Sequence, residues 1–447
     1  MINLSRKIIL FNSPIYIEKK DIKEDYLPPI GQGYIATYLK ENNVDVELVD
    51  CVYEHLGVKE ILEIIYTKKP SYVGINIFTA NEHIVRDIIE QCKVKVDFIV
   101  GGQAVKFMYP EILNFATENN MHIIIGEGEY IINAIVNKKV EEKVFLKKDN
   151  KKVYWIDKDS KYFPRDISCV NLDRSFFKGR DSENVYGEIE SAIITSRGCI
   201  YNCAFCGGAC SLNTDIFPRE KNSESIIYDI KDIIKRDSEV KSIRILDDLF
   251  LKNRDNMIKA INIFNKFKFL SWRAMAHVKS FKQCTDLLVQ LKESGCKEVF
   301  IGIESGSPRI RKSINKIGEI YEIKEVIYNL LDVGINVKGY FIYGFPEEDI
   351  YDFEKTYDLA KYLKDISDNL KGNFRCSVFQ FRPYHGTELY NRILKKYGNI
   401  PDCTLNEELN QFEGRTQFNY QSGNYSKCTE EQLDQYIIKT LKLNNGE

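Results

Sequence analysis

Short β-rich runs alternate with amphipathic helical patterns along most of this chain, and they do so in two separate series. In the first, strand candidates at 8–11, 44–49, 72–78, 98–101 and 123–125 are separated by helical stretches at 34–40, 58–66, 81–92 and 111–117. Strands that alternate with helices are joined by crossovers, and crossovers build parallel sheets with helices packed on their faces. The first series therefore predicts an α/β domain around a doubly wound parallel sheet. Ligands of such sheets bind at the carboxyl ends of the strands. Two glycine-containing turns fall there: Gly101-Gly102 after the fourth strand, and Gly126-Glu127-Gly128-Glu129 after the fifth.

The second series has strands at 192–195, 242–246, 270–276, 298–303, 336–342 and 374–380, the first five each followed by a helical pattern. Such a run of βα units predicts a partial (β/α)6 barrel, with its chemistry at the carboxyl ends of the strands. Between the two series, 144–156 reads as a hairpin turning at Lys148-Asp149-Asn150 and leading into a polar connector. The expected division is a first domain at 1–140, a linker with the hairpin at 141–187, the barrel at 188–397 and a C-terminal extension at 398–447. The extension holds a polar, aromatic segment at 412–421 and a final helix opened by the capping box Thr429-Glu430-Glu431-Gln432.

Directly after the first barrel strand come Cys199, Cys203 and Cys206, spaced C-x3-C-x2-C. Thiolates hold iron–sulfur clusters, and a four-iron cluster normally takes four of them. Three close ligands point to a cluster with one iron left open, and an open position separates a catalytic metal centre from a structural one. Zinc is the competing reading; it needs a fourth ligand, for which Cys210 is the nearby candidate, and zinc sites usually arrive as C-x2-C pairs. With 447 residues, 44% of them hydrophobic, there is material for more than one core. A net charge of −2 and a pI near 6.3 give no basic footprint for nucleic acid. Twelve cysteines in so long a chain do not read as a disulfide framework. The opening residues lack a signal-peptide pattern, and no apolar run approaches membrane-spanning length. A cytoplasmic location, where thiols stay reduced, is expected.

The cysteine motif, with Phe205 just before its third ligand and a six-unit barrel behind it, resembles the radical S-adenosylmethionine (SAM) superfamily. The resemblance implies a 4Fe-4S cluster on the three cysteines, with SAM chelated at the open iron. It also implies an electron donor such as flavodoxin or ferredoxin, and hydrogen abstraction from an unactivated carbon of a small-molecule substrate. Asp247 and Asp248 end the second barrel strand, where the family holds the SAM amine, although the usual Gly-Gly-Glu is absent. Glu304 and Ser305 lie in Gly302-Ile303-Glu304-Ser305-Gly306-Ser307, which resembles the segment after strand four in members that carry a cobalamin domain; Glu304 is expected at the SAM ribose. Lys316, downstream, is a candidate for the SAM carboxylate, with a solvated lysine as its alternative. Tyr340 to Glu348 and Arg382-Pro383-Tyr384-His385-Gly386-Thr387 resemble the same subgroup, with His385 where a proline is usual. Tyr384 and His385 are thus the candidate acid–base residues.

The string Gly31-Gln32-Gly33-Tyr34-Ile35-Ala36 mimics a dinucleotide fingerprint but lies too far beyond the first strand to be one. Instead the order Pro28-Pro29, helix, Asp50, Gly101-Gly102, Gly126 to Glu129 resembles an N-terminal cobalamin-binding domain. That resemblance implies cobalamin against Gly101, Gly102, Gly126, Glu127 and Gly128. The D-x-H-x-x-G string of such domains is missing, since Asp50 to Gly57 has the wrong spacing and follows the wrong strand. Cobalamin is therefore expected without a protein imidazole on its lower face. The implied activity is cobalamin-dependent methyl transfer; the rival is radical dehydration or rearrangement of a diol or sugar without cobalamin. A non-enzymatic cobalamin sensor would leave the three cysteines without purpose.

Overall fold

The computed structural model describes residues 7–15, 27–141, 143–177, 179, 181–405 and 420–446. The first series forms β1 (Lys7–Asn12), α1 (Ile30–Glu41), β2 (Asp45–Asp50), α2 (Val58–Lys68), β3 (Tyr72–Asn76), α3 (Glu82–Gln91), β4 (Asp97–Gly101), α4 (Val105–Ile112), β5 (Met121–Gly126) and α5 (Glu129–Val136). All five strands pair in parallel, in the order β2-β1-β3-β4-β5. The order reverses between β1 and β3, which opens a crevice at their carboxyl ends. The hairpin forms as β6 (Leu146–Lys148) and β7 (Lys151–Ile156) and joins this sheet, β7 lying parallel to β5. Both faces of the sheet are buried, in separate clusters that include Ile9, Val73 and Phe98 on one side and Ile8, Leu10 and Ile124 on the other.

A short β8 (Ser182–Glu183) pairs antiparallel with β9 (Ile189–Ile193), the first strand of the second sheet. The ribbon β10 (Ser196–Arg197) with β11 (Arg219–Glu220) flanks the cysteine loop. Then follow α6 (Ser223–Arg236), β12 (Ser242–Ile245), α7 (Arg254–Phe264), β13 (Ser271–Ala276), α8 (Val278–Lys282), α9 (Leu288–Glu293), β14 (Cys296–Glu304), α10 (Pro308–Ser313), α11 (Ile320–Asp332), β15 (Asn336–Tyr343), α12 (Ile350–Ser367), β16 (Phe374–Gln380) and α13 (Glu388–Tyr397). From β9 to β16 the six long strands are parallel and neighbour one another in chain order, a half-barrel with its helices outside. The outward residues, such as Ile243, Trp272, Ile301 and Phe341, form one core with those helices. A helix follows the sixth strand as well: Thr387 caps α13 through the Tyr390 amide, and Leu389 and Ile393 bury its inner face.

The extension contributes α14 (Glu430–Lys442), which packs Leu433 and Ile437 into the barrel core, and the small pair β17 (Thr404–Leu405) and β18 (Tyr420–Gln421). Residues 412–419 of the polar, aromatic segment lie outside the described residues. Tyr420 reaches back to the first domain, where its hydroxyl donates to the Ile15 carbonyl, and Arg382 Nη1 donates to the Tyr420 carbonyl at 2.9 Å. No helix among the described residues is long and apolar enough to cross a membrane.

The turn after β15 is tied by Glu348, whose Oε2 accepts from the Gly344 and Phe345 amides at 2.8 and 2.9 Å. Its side chain is fully buried, and burial pushes its carboxyl up to about 8. The folded state thus holds a proton that the unfolded chain releases near an ordinary carboxyl pKa. The stability linked to this group is greatest below about pH 4.3 and is lost as pH rises towards 8, with a slope of up to about 1.4 kcal/mol per pH unit. Glu348→Gln should flatten that part of a urea-midpoint profile between pH 5 and 8 and raise the midpoint most at pH 8.

Candidate active site in the cleft between the two domains

The cysteine loop starts from a buried clasp. Asp247, just beyond β12, accepts from the Thr195 amide at 2.6 Å, the Thr195 hydroxyl at 2.6 Å and the Ser196 hydroxyl at 2.7 Å. Both its oxygens are thereby engaged, so Asp247 holds the root of the loop. Asp248 is the carboxylate beside the thiols: it accepts from the Gly198 amide and acts electrostatically on Cys199 and Cys206. It is exposed to solvent, and desolvation by the surrounding protein raises its carboxyl pKa. On the opposite side the loop is pinned by Phe205, whose ring packs edge-on against Phe345 at 5.5 Å, and by backbone bonds from Ala204 to Ile314 and from Leu389 to Ala204.

Cys199, Cys203 and Cys206 are each half-buried, and that burial pushes all three thiols up, Cys206 to about 12. Thiols so desolvated ionise against a bound cation, which suits metal ligands better than a free nucleophile. Among the described residues no three His, Cys, Asp or Glu side chains converge as a single ion would require. A four-iron cluster takes each thiolate on a different iron, a demand that three thiols of one loop can meet. Cys210 is exposed, and its amide is bonded to the Tyr201 carbonyl.

Glu304 ends β14 at a register shift, with φ +66°. A residue rarely adopts that backbone without compensation. Here Arg311 binds the Ile303 and Ser305 carbonyls on either side, and Ser305 is locked by its hydroxyl contact with Thr356 at 3.1 Å. The Glu304 carboxylate pairs with Lys316 Nζ at 2.9 Å, and both side chains are under 10% exposed. Lys316 is therefore not solvated; burial works against its charge, but Glu304 and Cys203 hold its pKa raised. A Cβ at 302 would lie 2.2 Å from Glu304 Oε1 and 2.8 Å from Lys316 Nζ, so a larger residue there would displace the tips of this pair.

His277, at the end of β13, was not singled out from the sequence, although its place at a barrel strand end was a signal. Its ring stacks on Tyr201 of the cysteine loop at 4.1 Å, and Nδ1 accepts from the Lys279 amide at 3.1 Å, which leaves the proton of the neutral ring on Nε2. Burial, reinforced by the charges of Lys316 and Arg311, lowers its pKa to about 3.

The first domain is joined to the root of this loop through the turn after β5. At its switch point Gln32 donates Nε2 to the Phe11 carbonyl at 2.7 Å, while its buried Oε1 has no hydrogen-bond partner among the described residues. Gly101 has open space beside it, and Gly102 (φ +115°) bends so close to Ile77 that a Cβ would lie 2.5 Å from its carbonyl oxygen. An open glycine ledge with an unmet acceptor fits a flat ring bearing amide donors at its edge. Gly126 and Gly128 shape the next turn, but Glu127 between them is committed elsewhere. It accepts from both Arg197 and Arg219 of the barrel, and Glu129 accepts from Arg197 Nη2 at 2.6 Å. Arg197, two residues before Cys199, also lies over the Tyr34 ring at 5.3 Å. These arginines were likewise not singled out from the sequence.

Tyr384 and His385 lie on the cleft's other flank. Tyr384 accepts from Arg382 Nη2 at 2.8 Å, and His385 Nδ1 lies 3.3 Å from Thr79 Oγ1, which follows β3. Burial lowers the His385 pKa to about 4. Of the first domain's histidines, His55 follows the edge strand β2, His83 is on α3 and His122 is at the amino end of β5. None occupies the turn after β1.

A half-barrel with an open three-thiol loop, capped by a doubly wound domain with a glycine ledge, defines a two-cofactor enzyme class. Residues 193–360 match the model of the radical SAM superfamily, and residues 24–136 match that of the B12-binding domain. The chain is a member of the radical SAM superfamily with an N-terminal B12-binding domain. It is 29% identical over 394 residues to an uncharacterized methyltransferase of Pyrococcus horikoshii, covering 86% of this chain and 82% of that protein. It is 21% identical to the cytidylyl-2-hydroxyethylphosphonate methyltransferase of Streptomyces wedmorensis, over 90% of this chain and 84% of that one. In fold it is similar to the cobalamin-dependent SAM radical enzyme OxsB with aqua-cobalamin bound (TM-score 0.67, 16% identity), covering 95% of this chain; it spans 65% of that one. It is also similar to the methyltransferase TsrM of Kitasatospora setae (TM-score 0.64, 15% identity), covering 90% of this chain and 79% of that one. Membership implies a 4Fe-4S cluster, SAM and cobalamin, and the thiol trio and glycine ledge fit the first and last of these.

The Arg197 pair is largely buried, so removing one member strands the others. Arg197→Met should cost about 3 kcal/mol of stability by urea denaturation. A double-mutant cycle with Glu129→Gln should return a coupling above about 1 kcal/mol.

Proposed function

We propose that this chain is a cobalamin-dependent radical SAM methyltransferase that acts on an unactivated carbon of a small molecule. The observation that carries the reading is the junction of the two sheets' carboxyl ends, where Arg197, two residues before the first cysteine, binds Glu127 and Glu129 after β5, and His385 after β16 meets Thr79 after β3. When bound, the cluster supplies the electron for reductive SAM cleavage, and cobalamin supplies the methyl group. Cys199, Cys203 and Cys206 would hold the cluster, and Phe205 would keep their loop in register. Asp248 would accept from the SAM amine by charge-assisted bonds, and the Glu304–Lys316 pair would offer both an acceptor and a cation to its polar groups. Ser305 and Asp247 position these groups rather than touch the ligand. Gly101, Gly102, Gly126 and Gly128 would admit the corrin, while Glu127 keeps the ledge facing the loop.

Tyr384 and neutral His385 are the candidate groups for moving a proton near the substrate. With no histidine after β1, the lower face of the cobalamin would carry no protein imidazole. In this reading 1–140 is the cobalamin unit, 141–187 the linker with its hairpin, 188–397 the catalytic barrel and 398–447 its extension. The electron would come from a flavodoxin or ferredoxin in the cytoplasm.

Anaerobic purification with iron, sulfide and cobalamin assayed together tests the assignment. Replacing all three loop cysteines by Ala should abolish bound iron, whereas Cys210→Ala should keep it. Asp248→Asn and Glu304→Gln should retain iron and lose dithionite-driven SAM cleavage. Asp247→Asn should lower iron retention itself, because it loosens the root of the loop. Electron paramagnetic resonance of the cob(II)alamin form should show no nitrogen coupling from a protein histidine. Failure to bind cobalamin at all would favour radical dehydration of a diol.

A further inference from the structure

Three neighbouring barrel strands, β12, β13 and β14, each end in a polar residue beside the cysteine loop: Asp248, His277 and Glu304. Asp248 and Glu304 are carboxylates, and Glu304 brings Lys316 with it at 2.9 Å. His277 is the residue of this rim without a task. It is only 5% exposed, and a buried polar side chain normally has a partner for each polar atom. One of its ring nitrogens is satisfied. Nδ1 accepts from the Lys279 amide at 3.1 Å and so caps α8. With Nδ1 an acceptor, the neutral ring carries its proton on Nε2. That N–H makes no hydrogen bond among the described residues, and Nε2 is not shut away from solvent as the unpaired Nδ1 atoms of His55 and His122 are.

The donor is also fixed in direction. The imidazole stacks on the Tyr201 ring at 4.1 Å, with the two planes 29° apart. Tyr201 stands between Cys199 and Cys203, and its amide lies 3.5 Å from Cys199 Sγ. Turning the imidazole over would break the cap on α8, so its Nε2–H is preset beside the thiol loop. Buried groups held in place in this way are already organised for a ligand.

The charges around the rim are divided. Asp248, at the end of β12, acts on Cys199 and Cys206. On the other side Lys316 acts on Cys203, and Lys316 and Arg311 are the cations felt most strongly by His277. An ammonium has three donors, and Glu304 occupies one of those of Lys316. The rim thus offers an acceptor on β12, and a cation with a neutral donor on β13 and β14. That is the complement of an α-amino acid zwitterion, whose ammonium and carboxylate are carried on one carbon. A neutral donor next to Lys316 serves the carboxylate without the desolvation cost of a second buried cation.

We propose that His277 is a SAM-binding residue: its Nε2–H donates to the SAM carboxylate alongside Lys316, while Asp248 on the neighbouring strand accepts from the amine. The inference rests on the SAM site proposed above and adds to it a residue of β13.

The test uses the anaerobically reconstituted protein and equilibrium dialysis with SAM and with decarboxylated SAM, which lacks the carboxylate. His277→Phe keeps an aromatic ring over Tyr201 and removes the donor. It should weaken SAM about tenfold, a difference of about 1.4 kcal/mol. Decarboxylated SAM should bind it as it binds the parent, and iron content should be unchanged. His277→Gln, which restores an N–H donor, should recover most of the lost SAM affinity. Unchanged SAM affinity in His277→Phe would overturn the proposal. So would an equal loss for both ligands, or loss of bound iron, because either result makes the ring a brace for the loop and no more. A parent protein that failed to bind SAM would sink the SAM site as a whole, whereas SAM binding indifferent to His277→Phe sinks this inference alone.

Discussion

Arg197 is the residue on which the arrangement of this molecule turns. Its guanidinium is enclosed between Glu127 and Glu129 of one domain and lies over Tyr34, while its backbone runs directly into the first cysteine of the other. Desolvating a guanidinium is expensive unless carboxylates are fixed around it. Those carboxylates are fixed only when the turn after β5 and the ribbon β10–β11 are correctly apposed. Arg219 doubles the requirement by sharing Glu127 and by donating to the Pro164 carbonyl at 2.6 Å. The turn after β5 is therefore held against the root of the cysteine loop by the protein's own charges.

The barrel side answers with strain held in place. Glu304 has a left-handed backbone, and Arg311 spends its donors on four carbonyls of its neighbourhood, those of Ile303, Ser305, Ile317 and Gly318. The carboxylate that results is aimed at a buried lysine beside Cys203. Such strain persists where surrounding structure over-determines it, which is common at ligand sites. Asp247 plays the matching part at the other end of the loop, with three donors on two oxygens.

Both sheets were legible from the alternation of strands and helices, because that pattern is local and crossovers leave little choice of topology. The helix after β16 is not legible in the sequence, because its cap Thr387 closes a polar loop motif and only Leu389 and Ile393 mark its buried face. That the hairpin would extend the first sheet depended on β5 offering a free edge, which no local pattern reveals. The cysteine spacing stood out because its ligands are adjacent in sequence. Arg197 with Glu127 and His277 with Tyr201 are separated by 70 and 76 positions; the first pairing exists only once both domains are docked, and the second only once the barrel strands have come together. Asp247 and Lys316 illustrate the same limit: nothing in their neighbours announces that one carboxylate is saturated or that one lysine is buried.

The strap formed by Tyr420 has a consequence for assembly. Its hydroxyl meets the Ile15 carbonyl 405 positions away, and Arg382 secures its own carbonyl. Contacts between such distant positions carry a large loop-closure cost and form late. The segment after β1 and the extension after the barrel thus meet directly. Their junction is therefore closed only when the extension is in place, and a chain cut before Tyr420 would leave the segment after β1 without this tie.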